Sequence, residues 1–336
     1  MTTVVSREAG LDRRSIVVVA GLVVVTLALV VLSVGTGDYD MTPSEVLRTL
    51  AGQGTKAQYL VVTGRLPRVL VAVLVGAALA LAGSVFQTLT RNPLGSPDII
   101  GFTTGSATGG IVMILVVGSA PGLVSLGALG GGLLTMVVVA ALCAPHGLLS
   151  SRLVLLGIAM SAVLAGVNAY LLVKASKENA ARATVWLVGD LAGRDWNYLV
   201  PLAVAMVILV PAVLVNGRAL RMLEMGDDAA TGVGVAVGRM RNLLLLLAVA
   251  LVAAATAAVG PIPFVALISS QLARRMTRLP GPNLVASAFV GALLVVAADY
   301  VGQRVLGASL LPVGVVAATL GGAYFVWLLL VGRRRA

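Results

Sequence analysis

The sequence predicts an all-α membrane protein with about ten transmembrane helices, and three observations support this prediction. Apolar residues make up 59% of the 336 residues and charged residues only 11%, whereas a soluble chain carries charges on roughly a quarter of its residues. The apolar runs are continuous rather than alternating, which favours helices over the strands of a barrel. Most runs are also close to the roughly 20 residues that a helix needs to cross a bilayer.

Ten spans follow from this length requirement. They lie near residues 15–34, 65–86, 98–117, 122–144, 152–173, 197–215, 240–259, 261–277, 284–303 and 309–331. The first span follows Arg13-Arg14 but shows no small-residue cleavage site, so we interpret it as an uncleaved helix rather than a signal peptide. The pairs of spans that meet around Pro121 and around Gly260-Pro261 could each be one kinked segment.

The basic residues indicate the orientation of the chain. With both termini in the cytoplasm, fifteen of the 24 lysines and arginines fall on the inner side and nine on the outer side, as the positive-inside rule requires. The chain is then a single transmembrane domain over residues 1–336. Its longest polar segments are residues 35–64, an outer loop at 174–197 and an inner loop at 216–239, and none is large enough for a core of its own.

Several classes of protein are excluded by residues that the sequence lacks. None of the three lysines belongs to a phosphate-binding loop, so we expect no nucleotide hydrolysis and no enzymatic activity in this chain. One cysteine, Cys143, and one histidine, His146, make a metal site implausible. The net charge of +11 is spread between apolar spans, which argues against nucleic-acid binding. Only Asp299 lies well inside a span, with Asp98 near a helix start, so an ion-coupled carrier has thin support.

The most specific signal is an ordered set of short motifs from Arg65 onward. They are Arg65-Leu66-Pro67-Arg68, Gly76-Ala77-Ala78-Leu79-Ala80, Gly83, Gln87, Arg91-Asn92-Pro93-Leu94, Pro97, Gly101, Gly105, Trp186, Gly189, Gly226-Asp227-Asp228-Ala229-Ala230, Gly234-Val235, Gly260-Pro261-Ile262, Phe264, Asp299, Leu311-Pro312-Val313-Gly314-Val315, Gly321 and Phe325. This set closely resembles the FecCD-type permeases, which import iron-siderophores, haem and vitamin B12. The stretches 96–101 and 193–196 look most like the ferric catecholate-siderophore branch.

The resemblance implies a ten-helix bundle like that of the vitamin B12 permease, in the cytoplasmic membrane. Two permease subunits, identical or paralogous, would enclose a central pathway for a ferric siderophore. Two cytoplasmic ATPase subunits would bind ATP and Mg, and an extracytoplasmic binding protein would deliver the substrate. No cofactor or metal is expected in the chain itself. The alternative from another class is an ion-coupled secondary transporter, which would depend on intramembrane carboxylates.

The resemblance also implies roles for individual residues. The coupling helix that contacts the ATPase falls on Gly226, Asp227, Asp228, Ala229, Ala230 and Gly234, where the two aspartates are expected to cap a helix start; the alternative is an ordinary capped surface helix. Docking of the binding protein falls on Arg65, Arg68 and, more weakly, Arg304. The arginine usual in the family is Gln303 here, and the alternative for Arg65 and Arg68 is interfacial snorkelling.

The remaining predictions concern the pathway and the turns. Residues of the translocation pathway or its gate are Gln87, Trp186, Gly189 and Trp196, although the two tryptophans could instead belong to an interfacial aromatic belt. Structural turns are expected at Asn92, Pro93, Pro261 and Pro312, because proline ends or excludes a helix.

Overall fold

A computed structural model describes residues 13–98, 100–117, 121–143, 151–304 and 311–332. These residues form fourteen α-helices, a π-helical turn at Met113–Val117 and no strand, which confirms the all-α prediction for the described part of the chain. The helices are α1 (Arg13–Gly35), α2 (Pro43–Leu50), α3 (Lys56–Leu89), α4 (Phe102–Val112), α5 (Pro121–Cys143), α6 (Ser151–Lys174), α7 (Lys177–Val188), α8 (Trp196–Val215), α9 (Gly217–Glu224), α10 (Asp227–Gly232), α11 (Val237–Val259), α12 (Val265–Thr277), α13 (Leu284–Gly302) and α14 (Val313–Gly332).

Every predicted span coincides with a helix, but the lengths differ. Seven described helices are long and apolar enough to cross a membrane, and the apolar stretches Phe102–Val117 and Val313–Trp327 are shorter. Helix α3 begins nine residues before the predicted 65–86 span and keeps Pro67 inside it. Helix α12 begins only at Val265, because the Gly260–Phe264 segment is not helical. The pair of spans at Gly260-Pro261 is therefore two helices joined by a short irregular link.

Helix α3 lies at the centre of the bundle and packs on α13, α11 and α12. Its contact with α13 is a close approach of two backbones, since a Cβ on Gly76 would collide with the Gly291 carbonyl oxygen and the reverse substitution would collide with Gly76. Gly83 touches the Ala266 carbonyl of α12 in the same way. Small residues are what allow membrane helices to pack this closely.

Other helices present large apolar side chains on their outer surfaces. On α6 and α8, Val173 is 83% exposed and Val207 is 73% exposed. A soluble protein rarely leaves a contiguous apolar surface of this kind in water. These surfaces therefore suit contact with lipid or with another membrane subunit.

The bundle has two ends, which we call the α10 end and the α7 end. The α10 end holds α9, α10, the last turn of α3 and the first turn of α11, and the predicted topology makes it cytoplasmic. The α7 end holds α2, α7, the start of α3 and the last turn of α13. Helix α3 runs between them over 34 residues, or about 51 Å at 1.5 Å per residue.

Candidate coupling and docking sites

Two short helices, α9 and α10, occupy the predicted inner loop at 216–239. Helix α9 is strongly amphipathic, and its Leu220 and Leu223 are fully buried against the bundle. Gly226 then reverses the chain at φ +122°, a backbone conformation that favours glycine. Helix α10 begins at Asp227, the position predicted for a helix start.

The predicted capping role of the aspartates is wrong, because the Asp227 carboxylate has other partners. No side chain caps the first amides of α10, whose N-cap residue is Gly226. Asp227 Oδ1 instead accepts hydrogen bonds from Arg91 Nη2 at 2.7 Å and from Arg241 Nη2 at 2.8 Å. Two charged donors are stronger partners for a carboxylate than neutral amides. The Arg241 hydrogen bond, with the charge of Arg91 beside it, lowers the pKa of Asp227.

Most of the other residues of the predicted coupling set are exposed on α10 or just after it. Asp228, Ala229 and Gly234 are exposed, whereas Ala230 is buried and holds the helix against the bundle. Met225 and Val233 flank this surface and are 71% and 65% exposed. The α10 surface thus combines an acidic side chain with uncovered apolar ones, which is typical of a contact site for another protein.

Gln87, predicted for the pathway, is only 2% exposed and lies between α3 and α12. Its Oε1 accepts hydrogen bonds from Ser270 Oγ and from Arg274 Nη2, both at 2.7 Å, and its Nε2 donates to the Leu267 carbonyl at 2.8 Å. The side chain therefore uses both ends of its amide inside the bundle. In this conformation it contacts helix α12 and faces no open space.

The three predicted docking arginines have different surroundings at the α7 end. Arg65 donates to the carbonyl oxygens of Val34 at 3.1 Å and Tyr39 at 2.9 Å. The exposed Arg304 stacks on the ring of Tyr300, 4.0 Å from its centroid. Neither contact involves a carboxylate, so each guanidinium keeps its charge available to a partner.

Arg68 forms a bidentate ion pair with Asp299 of α13. Its Nη2 lies 2.7 Å from Oδ1 and its Nε 3.2 Å from Oδ2. The Asp299 side chain is 4% exposed and that of Arg68 is 20% exposed. Gln303 donates to Oδ2 at 2.8 Å, so the residue that replaces the family's arginine helps to satisfy the aspartate.

Two of the predicted gate residues, Trp186 and Gly189, lie where three breaks in the helices come together. Gly189 ends α7 at φ +77°, and a Cβ there would collide with the Pro261 carbonyl oxygen. The Gly314 amide at the start of α14 donates to the Gly189 carbonyl at 3.0 Å. The ring of Trp186 packs directly on Gly110 of α4. The motifs 186–189, 260–262 and 311–315, distant in sequence, thus form one junction.

The two tryptophans differ in their exposure. Trp186 is 8% exposed and borders a cavity of about 150 Å³ together with Arg182, Arg194 and Tyr198. Trp196, the first residue of α8, is 46% exposed. An interfacial belt residue presents its ring to the membrane surface, so the exposure of Trp196 fits that alternative better than the burial of Trp186 does.

The predicted turns lie outside regular helices or at their starts. Asn92 follows the end of α3, and its Oδ1 accepts the Leu94 amide at 2.9 Å. Pro93 is held from α12, since Gln271 Nε2 donates to its carbonyl at 2.7 Å. Pro261 lies in the link before α12, and Pro312 immediately precedes α14.

Sequence reasoning missed the partners of these residues. The sequence placed Arg91 in a motif and left Arg241 and Arg274 among the fifteen inner-side basic residues, yet all three bind predicted site residues. The one available signal was the Arg91-Asn92-Pro93-Leu94 motif itself, since a motif shows that a residue matters and not what it touches.

Comparison with known proteins identifies the family. The model of the FecCD transport family matches residues 25–331. The chain belongs to this family. It is 40% identical to the ferric enterobactin transport system permease protein FepG of Escherichia coli (strain K12), over 96% of this chain and 98% of that protein. It is 34% identical to the Fe(3+)-citrate import system permease protein YfmE of Bacillus subtilis (strain 168), over 95% and 96%.

A solved structure supports the same assignment. An inward-facing conformation described as that of a metal-chelate type ABC transporter superposes with a TM-score of 0.84 at 28% identity, covering 93% of this chain and 98% of that one. The predicted resemblance to FecCD-type permeases is therefore confirmed, as is a multi-pass membrane protein with an all-α bundle. The chain is a membrane permease of the ABC-importer type.

Proposed function

We propose that this chain is the permease subunit of an ATP-driven importer that moves a ferric siderophore, of the catecholate class, inward across the cytoplasmic membrane. The observation that carries this proposal is the family match over nearly the whole chain, combined with an exposed acidic helix at the α10 end. The 40% identity to a ferric enterobactin permease supports the catecholate class. The chain hydrolyses no nucleotide itself.

The partners follow from the same proposal. The exposed face of α10, with Asp228, Met225 and Val233, contacts one of two cytoplasmic ATPase subunits, which bind ATP and Mg. A second permease subunit, identical or paralogous, completes the pathway. An extracytoplasmic binding protein docks at the α7 end, where Arg65 and Arg304 offer charge that no described carboxylate neutralises.

The surroundings of Asp299 argue against the ion-coupled alternative. A carrier of protons or sodium needs a carboxylate that can exchange its cation during transport. Asp299 is already paired with Arg68 and hydrogen-bonded by Gln303. It is therefore poorly suited to bind and release a second cation.

Uptake by the complete importer tests the proposal. Cells or vesicles holding the permease, its ATPase and its binding protein take up a radiolabelled ferric catecholate siderophore. We expect uptake to continue after the proton gradient is collapsed and to stop when ATP is depleted. The opposite pattern would show an ion-coupled carrier.

A second experiment tests the coupling surface. We expect Asp228→Arg to lower co-purification of the ATPase, because the substitution reverses the charge of an exposed carboxylate on α10. The matched control is Asp38→Arg, an equal charge change on an exposed residue at the α7 end. Equal ATPase recovery with both variants would show that α10 does not contact the ATPase.

A further inference from the structure

Helix α3 receives a direct contact from the α9–α10 segment through Arg91. This residue follows the C-terminal end of α3, and its Nη2 donates both to Asp227 Oδ1 at 2.7 Å and to the Leu223 carbonyl at 3.1 Å. One guanidinium thus holds the end of α9 and the start of α10 at once. The short coupling segment is attached to α3 by a charged group and not by apolar packing alone.

The backbone at Arg91 is itself in an uncommon conformation. Its φ is +49°, in the left-handed region that non-glycine residues seldom adopt. The conformation is fixed by the turn, in which the Arg91 amide donates to Thr88 O and the Asn92 amide to Gln87 O. These two hydrogen bonds form the common Schellman ending of a helix, in which the residue after the C-cap adopts the left-handed conformation. The turn places the Arg91 side chain against α9 and α10.

A second connection reaches α3 one turn deeper in the bundle. Arg274 of α12 donates to Gln87 of α3 at 2.7 Å. Gln271 of α12 also holds the Pro93 carbonyl. The end of α3 is therefore held by α9–α10 through Arg91 and by α12 through Gln87 and the Pro93 carbonyl.

Helix α3 is well placed to carry such a connection across the membrane. It is continuous over 34 residues. In its most apolar 18-residue stretch, 78% of the residues are buried. Its close backbone contacts at Gly76 and Gly83 leave little room for it to bend independently of α13 and α12. Its other end carries Arg65 and Arg68.

We propose that α3 is the element through which movement of α9–α10 reaches the α7 end, and that Arg91 is the positioning residue that joins them. This inference rests on the proposed function, since it assigns the route by which the ATPase acts. The Arg91–Asp227 pair is exposed, at 46% and 49% of the two side chains. An exposed ion pair adds little to stability, so it can re-form in each cycle without holding the bundle in one state.

The test compares Arg91→Gln with Arg239→Gln in the complete importer. Arg239 is an exposed arginine near Arg241, and no described interaction links it to α10. We measure ATPase activity with and without ligand-loaded binding protein, and uptake in parallel. Arg91→Gln is expected to keep the basal ATPase rate and ATPase recovery but to reduce stimulation by the binding protein by about fivefold or more, the range of typical coupling between sites. Arg239→Gln should keep normal stimulation.

A double-mutant cycle separates coupling from a merely structural effect. Arg91→Gln, Asp227→Asn and the double variant are compared for stimulation and for unfolding in detergent. If the two residues act through each other, the double variant loses no more stimulation than Arg91→Gln alone. Arg91→Lys keeps a charge beside Asp227 and should restore part of the stimulation.

The outcomes distinguish the two proposals. Unchanged stimulation in Arg91→Gln, with a stimulated wild type, overturns the role of Arg91 and leaves the proposed function standing. Equal losses in Arg91→Gln and Arg239→Gln overturn it as well, because general charge would then explain both. A wild-type complex that shows neither stimulation nor ATP-dependent uptake overturns the proposed function itself.

Discussion

The two ends of α3 hold arginine–aspartate pairs that differ in nearly every physical respect. At the α7 end, Arg68 and Asp299 form a bidentate pair in which the aspartate is 4% exposed. At the α10 end, Asp227 is 49% exposed and is shared by Arg91 and Arg241. The first pair joins two long helices that are already in backbone contact. The second joins a six-residue helix to the bundle.

The difference in exposure determines whether each pair can separate. A buried pair cannot separate without leaving a charge in an apolar environment, so Arg68–Asp299 fixes α3 to α13. An exposed pair can separate into water at little cost, so the Asp227 cluster can hold α10 and still allow it to move. We infer that the α7 end of α3 is built for rigidity and the α10 end for controlled movement.

The largest expected effect comes from breaking the buried pair. Asp299→Leu leaves Arg68 without its carboxylate and should lower the free energy of unfolding by about 3 kcal/mol, measured by denaturation in detergent. Gln303→Leu removes only one hydrogen bond and should cost about 1 kcal/mol. Arg68→Met combined with Asp299→Leu should recover most of the loss, because no unpaired charge remains. A stable Asp299→Leu variant would show that the two ends do not differ in this way.

The next effect tests whether backbone contact contributes to that rigidity. Gly76→Ala places a Cβ against the Gly291 backbone and should destabilise the protein by about 2 kcal/mol. Gly64→Ala is the control on the same helix, since a Cβ there meets nothing within 4 Å. Alanine is the better helix former by about 0.5–1 kcal/mol, so the control should be neutral or slightly stabilised. Equal destabilisation by both would refute a close crossing at Gly76.

The helices could be predicted from the sequence because lipid imposes a single requirement on them. Each long apolar run must satisfy its own backbone, so its existence and approximate place follow from composition. The start of α3 at Lys56 was missed because residues 56–64 are too polar to read as a span. Helix α12 was predicted too long because residues 261–264 were counted in the span and not in the link before it.

The candidate site was less predictable, because pairing depends on tertiary contacts that no spacing reveals. Arg68 and Asp299 are 231 residues apart, and Arg91 and Asp227 are 136 residues apart. Their motifs showed which residues matter, and a capping role was the natural local interpretation of Asp227. The two arginines that bind Asp227 in place of the amides come from α11 and from the turn after α3, so the sequence around Asp227 could not show them.

A smaller effect tests the predicted docking role of Arg65 at the α7 end. We expect Arg65→Glu to weaken binding of the binding protein roughly tenfold, about 1.4 kcal/mol, since Arg65 has only carbonyl partners and its charge is available. The defect should shrink as salt is raised. Lys56→Glu is the control, an equal reversal about 13 Å away along α3, beyond the screening length of about 10 Å at 0.1 M salt. Equal defects in both variants, or no defect in Arg65→Glu, would contradict the docking role and favour interfacial snorkelling of Arg65.

The smallest effect concerns pH at the α10 end. The Arg241 hydrogen bond and the charge of Arg91 lower the pKa of Asp227 below its ordinary value of 3.8. A depressed pKa contributes stability that is present above the unfolded value and is lost as the pH falls through the folded one. Hydrogen-exchange protection of α10, corrected for the intrinsic exchange rate, should therefore stay constant from pH 8 to about 5 and decrease only below about 4. Asp227→Asn should show weaker protection with no such decrease. A decrease already between pH 7 and 5 would mean that Asp227 is not held by both arginines, and that the α10 end is attached in some other way.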